Sequence, residues 1–272
     1  MPTLPPDRPR RSHELRAVAE SFGIDAARYD RARPRYPRAL IERIAEAAAP
    51  GRAVLDVGCG TGIASRQLRA AGCRVLGVET DARMAEVARR LGDAVEVAAF
   101  EDWRPEGRVF DAVVAGQAWH WIAPAAGAVK AAGVLRPGGL LAPFWNAFAF
   151  PPELADDVAA VLERALPGAP FDVAAMARGD LGGHDALTAA AVEGIRASGA
   201  FAEPRHWRYA WELTYTRDAW LDQMPTQGAF TRLPPDALAA VLDGVGAAID
   251  ARGGVFTVRY ETVAVAATRT DA

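Results

Sequence analysis

Short apolar runs alternate with amphipathic helical patterns along the first half of the chain. Helical spacing of apolar residues predicts helices over 38–48, 63–72, 82–92 and 125–135. Continuous apolar runs predict strands over 53–58, 74–80, 94–100, 109–118 and 140–146. Apolar strands separated by helices are typical of a parallel sheet covered on both faces. We therefore predict an α/β protein with a doubly wound sheet.

The pattern changes after residue 150. It predicts helices over 153–166, 185–198, 217–224 and 235–251, and strands over 206–215 and 254–268. Two late strands connected by a helical segment are typical of an antiparallel hairpin at the edge of a mostly parallel sheet. We expect 205–268 to complete the sheet and the helical insertions at 151–184 and 217–251 to form a cap. A Pro- and Arg-rich tail over 1–15 is expected to be disordered.

The composition of the chain limits the kinds of molecule that the protein is expected to bind. The formal charge of -3 and the pI near 5.9 do not favour a nucleic-acid partner. Cys59 and Cys73 are too few for a disulfide scaffold, and His13, His184 and His206 lack metal-ligand spacing, so we expect no metal. No apolar run approaches the roughly 18 residues of a membrane span. We expect a cytoplasmic monomer or homodimer without a membrane partner.

The segment VLDVGCGTG, residues 54–62, is the strongest local signal. Three glycines at alternate positions follow a strand and precede a helix, where the backbone must turn tightly and can approach a ligand. A dinucleotide-binding turn reads G-x-G-x-x-G, whereas this loop reads G-x-G-x-G. Asp56 would repel a pyrophosphate but suits a cationic group. Glu79 ends the next strand, where a carboxylate can accept hydrogen bonds from ribose hydroxyls.

These residues, with FEDW at 100–103 and LRPGG at 135–139, resemble class I methyltransferases that depend on S-adenosylmethionine (AdoMet). The resemblance covers about 20–148 well and 205–268 in outline. It implies a Rossmann-like fold, AdoMet as cofactor and S-adenosylhomocysteine (AdoHcy) as product. It also implies methyl transfer to an O, N or C nucleophile of a small molecule, such as a secondary metabolite. Residues 16–272 would form one domain, with a cofactor-binding core over 38–148.

The resemblance assigns cofactor contacts by position. The methionine part would lie against Asp56, Gly58, Gly60 and Gly62, with Cys59 filling the space behind the loop, and Gln117 would face the same end. Glu79, followed by Thr80, would hold the ribose. The residues that would flank the adenine are Phe100, Glu101, Asp102 and Trp103, with Asp102 accepting from its amino group. Residues 16–37 resemble an N-terminal lid, whose Tyr29, Arg33 and Tyr36 would close on the methionine carboxylate.

Aromatic residues around a histidine follow the fourth strand. His120 is the candidate general base, and Trp119, His120, Trp145 and Phe148 are the candidate substrate-pocket residues. Packing alone would equally explain these aromatic side chains. Other functions also stay open. The chain could be a non-catalytic AdoMet-binding regulator or partner protein, an oxidoreductase that uses NAD, or a methyltransferase acting on tRNA or protein. The absence of a basic domain argues against tRNA.

Overall fold

The computed structural model describes residues 20–167, 173–179 and 182–270. The predicted tail over 1–15 and the first four residues of the predicted lid lie outside the described residues. Below, "the lid" means residues 20–37.

The strands form one seven-stranded sheet in the order β3-β2-β1-β4-β5-β7-β6. Their bounds are Ala53–Val57 (β1), Arg74–Glu79 (β2), Ala94–Val97 (β3), Phe110–Gly116 (β4), Leu135–Ala149 (β5), Arg205–Thr216 (β6) and Val255–Thr268 (β7). The first five strands are parallel, and β7 runs antiparallel to both β5 and β6. This arrangement confirms the predicted mostly parallel, Rossmann-like sheet with an antiparallel C-terminal edge.

Ten α-helices accompany the sheet within the described residues. They are Ala26–Ala32 (α1), Arg38–Ala47 (α2), Ile63–Ala70 (α3), Ala82–Arg90 (α4), Pro124–Val134 (α5), Pro152–Ala165 (α6), Val173–Arg178 (α7), Gly182–Ser198 (α8), Arg217–Gln223 (α9) and Pro235–Asp250 (α10). Short 3₁₀ helices occupy Glu20–Asp25, Trp119–Trp121 and Met224–Thr226. Over the part of the chain that is described, each helix is too short or too polar to cross a bilayer.

Several strands differ in length from their sequence predictions, and β5 differs most. β5 extends beyond 140–146 at both ends, because Leu135 already pairs with Phe110 and a register shift follows. Its far end, through Ala149, gains an antiparallel partner in β7. The local pattern could not show this pairing, since the partner lies more than a hundred residues away. β3 ends at Val97, three residues before its predicted end.

Alternate residues of the central strands build two apolar layers. Leu55 and Val113 contribute to the layer that contains α5 and α8. Val54 and Val114 contribute to the opposite layer, with α2 and α3. This alternation follows from the strand geometry, in which successive side chains point to opposite faces. The two layers hold the strands so that the carboxyl ends of β1, β2, β4 and β5 meet along one edge.

A further apolar cluster lies beyond this edge. It combines α6, α9 and α10 with the first half of β7 and the last residues of β6. The end of α7 packs against the same region, since a Cβ on Gly179 would lie 2.5 Å from the carbonyl oxygen of Phe148. Helices inserted after β5 and after β6 therefore share one core. We call this cluster the second core.

Candidate functional site

The glycine loop between β1 and α3 has the conformation that the sequence requires. Gly58, Gly60 and Gly62 have φ angles of +64°, +57° and +85°, which side-chain-bearing residues rarely adopt. A Cβ on Gly58 would lie 2.5 Å from the Cβ of Ala118, and one on Gly62 would collide with the carboxylate of Asp93. A Cβ on Gly60 would approach only the Cε of Met84, at 3.4 Å. Position 60 therefore borders space that a ligand can occupy.

Asp56 is a buried carboxyl with one oxygen unpaired. The residue is only 1% exposed, and the Ser65 hydroxyl donates to its Oδ2 at 2.7 Å. Oδ1 has no hydrogen-bond partner among the described residues. Burial raises the pKa of Asp56 to about 7, the Ser65 hydrogen bond opposes this rise, and the negative charges of Asp93 and Glu79 add to it. A cationic donor beside Oδ1 would satisfy the oxygen and favour the charged form.

Glu79 connects the end of β2 to the glycine loop. Its carboxylate accepts from the backbone N–H of Gly60 at 2.8 Å and from that of Asp81 at 2.9 Å. Burial raises the pKa of this carboxyl, and the hydrogen bonds from Asp81 and Gly60 oppose the rise. The Thr80 hydroxyl, on an exposed residue, also donates to it at 3.2 Å. Glu79 thus positions the loop in this structure, and its contact with a ribose stays a prediction.

Cys59 lies behind the loop, as its small side chain suggests. It is buried with Ala85, Ala88 and Val95, and a Cβ on Gly77 would lie 2.5 Å from its sulfur. Burial raises the pKa of the Cys59 thiol, and the nearby carboxylates of Asp56 and Glu79 add to this rise. A buried thiol with a raised pKa is a poor nucleophile.

The FEDW segment splits between interior and surface. Phe100 and Trp103 are buried in the main core, with rings stacked 6.4 Å apart between centroids. The Trp103 indole donates to Glu96 at 2.5 Å. Glu101 and Asp102 are exposed. Glu101 and Asp102 are thus the outward acceptors on this turn, and the contact of Asp102 with adenine stays a prediction.

Lys130, the single lysine of the chain, is a residue that sequence reasoning missed. Its Nζ donates to the carbonyl oxygens of Glu101 and Trp103, at 2.6 and 2.7 Å. Burial lowers the pKa of Lys130, while the charges of Asp102 and Glu101 oppose this. Lys130 therefore holds the FEDW turn from α5, a contact that spans about thirty residues and has no local signal.

Gln117 lies where β4 ends, in a conformation rare for its type. Its φ angle is +59°, its backbone N–H donates to Phe144 at 2.8 Å, and its Nε2 donates to the carbonyl oxygen of Asn146 at 3.2 Å. Side-chain-bearing residues held in the left-handed region cluster at functional sites. The strained position supports a site between the carboxyl ends of β4 and β5.

Tyr29, Arg33 and Tyr36 of the lid contact two neighbouring regions of the structure. Tyr36 packs edge-on against Phe144, with centroids 4.7 Å apart, and a Cβ on Gly116 would lie 2.7 Å from its hydroxyl. Burial raises the pKa of the Tyr36 phenol. Arg33 lies 5.0 Å over the ring of Tyr29, and its Nη2 donates to the carbonyl oxygen of Thr226 at 3.1 Å. Tyr36 therefore reaches the end of β4 and Arg33 reaches the second core, while the two remain close enough for the Arg33 charge to oppose the rise in the pKa of Tyr36.

Ion pairs anchor the lid on two sides, and sequence reasoning missed them. Arg28 and Arg31 both contact Asp222 of α9, at 2.8 and 3.0 Å. Asp30 pairs with Arg66 of α3. The Asp222 contacts join residues more than 190 positions apart, so no local pattern could indicate them.

His120 is held by a neighbour that the sequence predicts as a pocket wall. Trp145 is fully buried, and its Nε1–H donates to His120 Nδ1 at 3.1 Å. An indole N–H can only donate, so Nδ1 must present a lone pair, and a neutral His120 then carries its proton on Nε2. That tautomer makes Nε2 a donor rather than a base. Trp119 is buried in the main core, and the catalytic role of His120 stays a prediction.

Phe148 belongs to the second core. Its ring lies 5.5 Å from that of Trp220 and 6.0 Å from that of Tyr260. It follows Asn146, whose carbonyl accepts from Gln117, by two residues along β5. The glycine loop, the β4 end and the second core are thus consecutive along one edge of the sheet.

Comparison with known proteins relates this chain to methyltransferases. The family profile of the methyltransferase domain matches residues 29–142. An uncharacterized methyltransferase of Mycobacterium tuberculosis is 38% identical over 139 residues, which cover 48% of this chain and 54% of the relative. The ubiquinone biosynthesis O-methyltransferase of Methylocella silvestris is 35% identical over 107 residues, which cover 37% of this chain and 42% of that protein. The chain thus spans about half the length of the curated relatives it matches.

One solved structure is similar to this chain over a longer part of its length. It is that of a proposed type II methyltransferase from Anaeromyxobacter dehalogenans, with 26% identity, a TM-score of 0.59, and coverage of 86% of this chain and 97% of that one. The chain is therefore similar to methyltransferases in sequence over residues 29–142, and it shares its Rossmann-like fold with this solved methyltransferase structure.

Proposed function

We propose that the protein is an AdoMet-dependent methyltransferase that transfers a methyl group to an O, N or C nucleophile of a small molecule. The observation that carries the proposal is the unpaired Oδ1 of Asp56 beside the glycine loop. A buried acceptor left without a partner costs about 1–3 kcal/mol. The cationic amino group of AdoMet would supply the missing donor and counter the charge.

The surrounding residues fit the rest of such a cofactor. Gly60 leaves open the space where the ligand would approach the backbone. The buried carboxylate of Glu79 ends β2, where ribose hydroxyls are bound in folds of this type. The buried carboxyl of Asp56 would repel the pyrophosphate of NAD, and the G-x-G-x-G spacing departs from the dinucleotide-binding pattern, so both disfavour the oxidoreductase alternative.

AdoMet, when bound, supplies an activated methyl group. The chain must then orient the acceptor and exclude water. Tyr36 and the lid would cover the methionine end from the side of β4. His120, oriented by Trp145, would hold an oxygen of the substrate through Nε2–H rather than remove its proton. The small-molecule class is supported by the helices that enclose the edge next to β5 and by the acidic overall charge.

Calorimetry and a turnover assay test the proposal. AdoMet and AdoHcy should bind and NAD should not, and AdoHcy should accumulate when AdoMet is supplied with an accepted small molecule. NAD binding without AdoMet binding would overturn the proposal. AdoMet binding without AdoHcy formation across broad panels of phenols, amines and carbon acids would instead support the non-catalytic alternative.

A further inference from the structure

The second core contains a small aromatic cavity next to the proposed cofactor edge. Its walls include Phe148, Phe150, Trp220, Met224, Gln227 and Phe230. We call it the aromatic cavity. It lies two residues along β5 from the backbone oxygen that Gln117 binds. An acceptor molecule held here would therefore adjoin the ends of β4 and β5.

Four buried polar atoms in this region have no hydrogen-bond partner within the described part of the chain. They are Arg33 Nε, Trp220 Nε1, Gln223 Oε1 and Gln227 Nε2. Trp220 and Gln223 are each only 1% exposed. Three of the four residues lie within 220–227, and Arg33 reaches the same segment by donating to Thr226. Unpaired buried polar atoms are uncommon in folded proteins, so a group of four indicates a binding site for a polar ligand.

The neighbouring hydroxyls leave the four atoms unpaired. The Gln223 side chain hydrogen-bonds the Tyr260 phenol and opposes the rise that burial causes in its pKa, as a bond donated by the amide N–H does, so Gln223 Oε1 stays without a donor. The hydroxyls of Tyr215 and Tyr260 hydrogen-bond each other at 2.8 Å. The hydroxyl of Thr226 donates to the backbone oxygen of Gln223 at 2.6 Å, and so leaves the side-chain oxygen of Gln223 unpaired. The unpaired set consists of three donors and one acceptor, and the Arg33 donor carries a positive charge.

We propose that the aromatic cavity and these four polar atoms form the subsite of the methyl-accepting substrate, which is a small organic anion with a ring-shaped apolar body, a carboxylate and a hydroxyl or amino group. The proposal rests on the proposed function above. Aromatic walls suit a ring, which packs edge-on or stacked against them. Three donors, one of them cationic, suit a carboxylate. The single acceptor, Gln223 Oε1, requires an O–H or N–H group on the same molecule.

The subsite must open before a ring can enter. The cavity measures about 10 Å³ in this structure, which is about the room of one water molecule. α9 forms one side of the cavity through Trp220, and Arg28 and Arg31 of the lid hold α9 through Asp222 at the surface. Separation of the lid from α9 would widen the cavity and expose the donors to substrate.

Fluorine NMR with two matched probes tests the subsite. The probes are 3-fluoro-4-hydroxybenzoate and its uncharged analogue 3-fluoro-4-hydroxybenzamide, added to the full chain with saturating AdoHcy. We expect the benzoate to bind about tenfold more tightly than the amide, from its charge-assisted hydrogen bonds. Equal affinities, or tighter binding of the amide, would overturn the assignment to an anion.

Variants locate the bound probe. Gln227→Leu and Gln223→Met should each weaken benzoate binding by about tenfold, whereas Asp218→Asn, an exposed position on the same helix as Gln223, should leave it unchanged. Melting temperatures identify any variant that fails to fold, and the half-buried Gln227 serves if Gln223 does not tolerate change. Unchanged benzoate affinity in folded Gln223 and Gln227 variants would overturn the location.

A substitution of Arg33 distinguishes the binding of the substrate from the binding of the cofactor. Arg33→Leu should weaken benzoate binding by a larger factor than AdoHcy binding, both measured by calorimetry, because the Arg33 guanidinium is held at Thr226, in the segment that carries the other unpaired atoms. The reverse result would place Arg33 on the cofactor and overturn its part in the subsite. Benzoate binding that depends on Gln227 in a chain that binds no AdoHcy would contradict the proposed function and uphold the subsite. Normal AdoHcy binding without benzoate binding would instead agree with the proposed function and overturn the subsite.

Discussion

Asp56 is the residue whose protonation most directly concerns the glycine loop. Burial raises its pKa to about 7, and the charges of Asp93 and Glu79 act in the same direction. Ser65 opposes this rise by hydrogen-bonding the carboxylate, with its hydroxyl at 2.7 Å from Oδ2. Near neutral pH the carboxyl therefore changes charge within the range in which the protein would work.

This shift predicts a pH-dependent stability. An unfolded aspartate has a pKa of about 3.9, so between about pH 4 and about pH 7 the folded chain keeps a proton that the unfolded chain has lost. The stability from Asp56 is complete below about pH 4 and is lost as the pH rises through about 7. We expect Asp56→Asn to gain stability relative to the wild type over that range, measured by urea unfolding.

The exposed Asp218→Asn serves as the control for this measurement, because it removes a carboxyl from a solvated position. It should not reproduce the change with pH. A constant difference in unfolding free energy between Asp56→Asn and the wild type, from acid to neutral pH, would contradict the raised pKa.

Gly60 gives a second prediction at the residue scale. Gly60→Val should abolish AdoMet binding, because its side chain would enter the space beside the loop that is open apart from Met84. The substitution also strains a backbone at φ +57°, so Gly253→Val is the matched control. Gly253 has a φ angle of +93°, and a Cβ added there would meet nothing within 4 Å among the described residues. Both variants should lose a similar amount of unfolding free energy, but only Gly60→Val should lose the AdoMet binding that calorimetry measures.

At the scale of elements, the lid connects parts that the sheet alone does not hold together. Gly23 lies against the Asp81 carboxylate at the start of α4, and the Ser21 and Thr231 hydroxyls are 2.6 Å apart. Asp222 pairs with two lid arginines from α9. Most of these contacts are polar and at least partly exposed, so they can break at little cost and re-form.

Hydrogen exchange should reveal the lid as a closing element. Residues 20–37 should exchange quickly without AdoMet and become clearly protected with it, while β1 stays slow in both states. Asp222→Asn should speed exchange in the lid without affecting β1. If saturating AdoMet leaves exchange over 20–37 unchanged, the segment is not a lid, and Tyr29, Arg33 and Tyr36 do not belong to the cofactor site.

Across the whole molecule, β5 and β7 contribute residues both to the central sheet and to the second core. Phe256, Val258 and Tyr260 of β7 belong to the second core, whereas Val265 and Ala267, further along the strand, belong to the main core. β5 likewise continues from the central sheet towards α6. Because the strands are shared, we expect the second core and the central sheet to unfold together.

Trp220→Ala tests this cooperativity. Trp220 is fully buried and contacts four aromatic rings, those of Phe148, Phe150, Tyr215 and Phe256. Its removal should cost about 3–5 kcal/mol of unfolding free energy and still give one transition by near- and far-UV circular dichroism. Val255→Ala, at an exposed position, should change little. Two separate transitions would show that the second core unfolds independently.

Local sequence patterns were sufficient to predict the sheet, its helices and the glycine loop. These features depend on local rules, namely the spacing of apolar residues and the backbone freedom of glycine. Asp56 and Glu79 were found for the same reason, since each stands at the carboxyl end of a strand that its own pattern predicts. The lengths of β3 and β5 were less accurate, because a strand ends where its partner ends.

Tertiary packing, by contrast, establishes which aromatic and polar residues meet at the edge of the sheet. Trp103 and Trp119 lie in the main core, while Phe148 lies in the second core, although each of the three follows the end of a predicted strand by no more than three residues. The bond between Trp145 and His120, and that between Arg33 and Thr226, join segments distant along the chain. Such contacts depend on how layers pack in three dimensions, and packing brings together residues whose separation along the chain leaves no periodic signal.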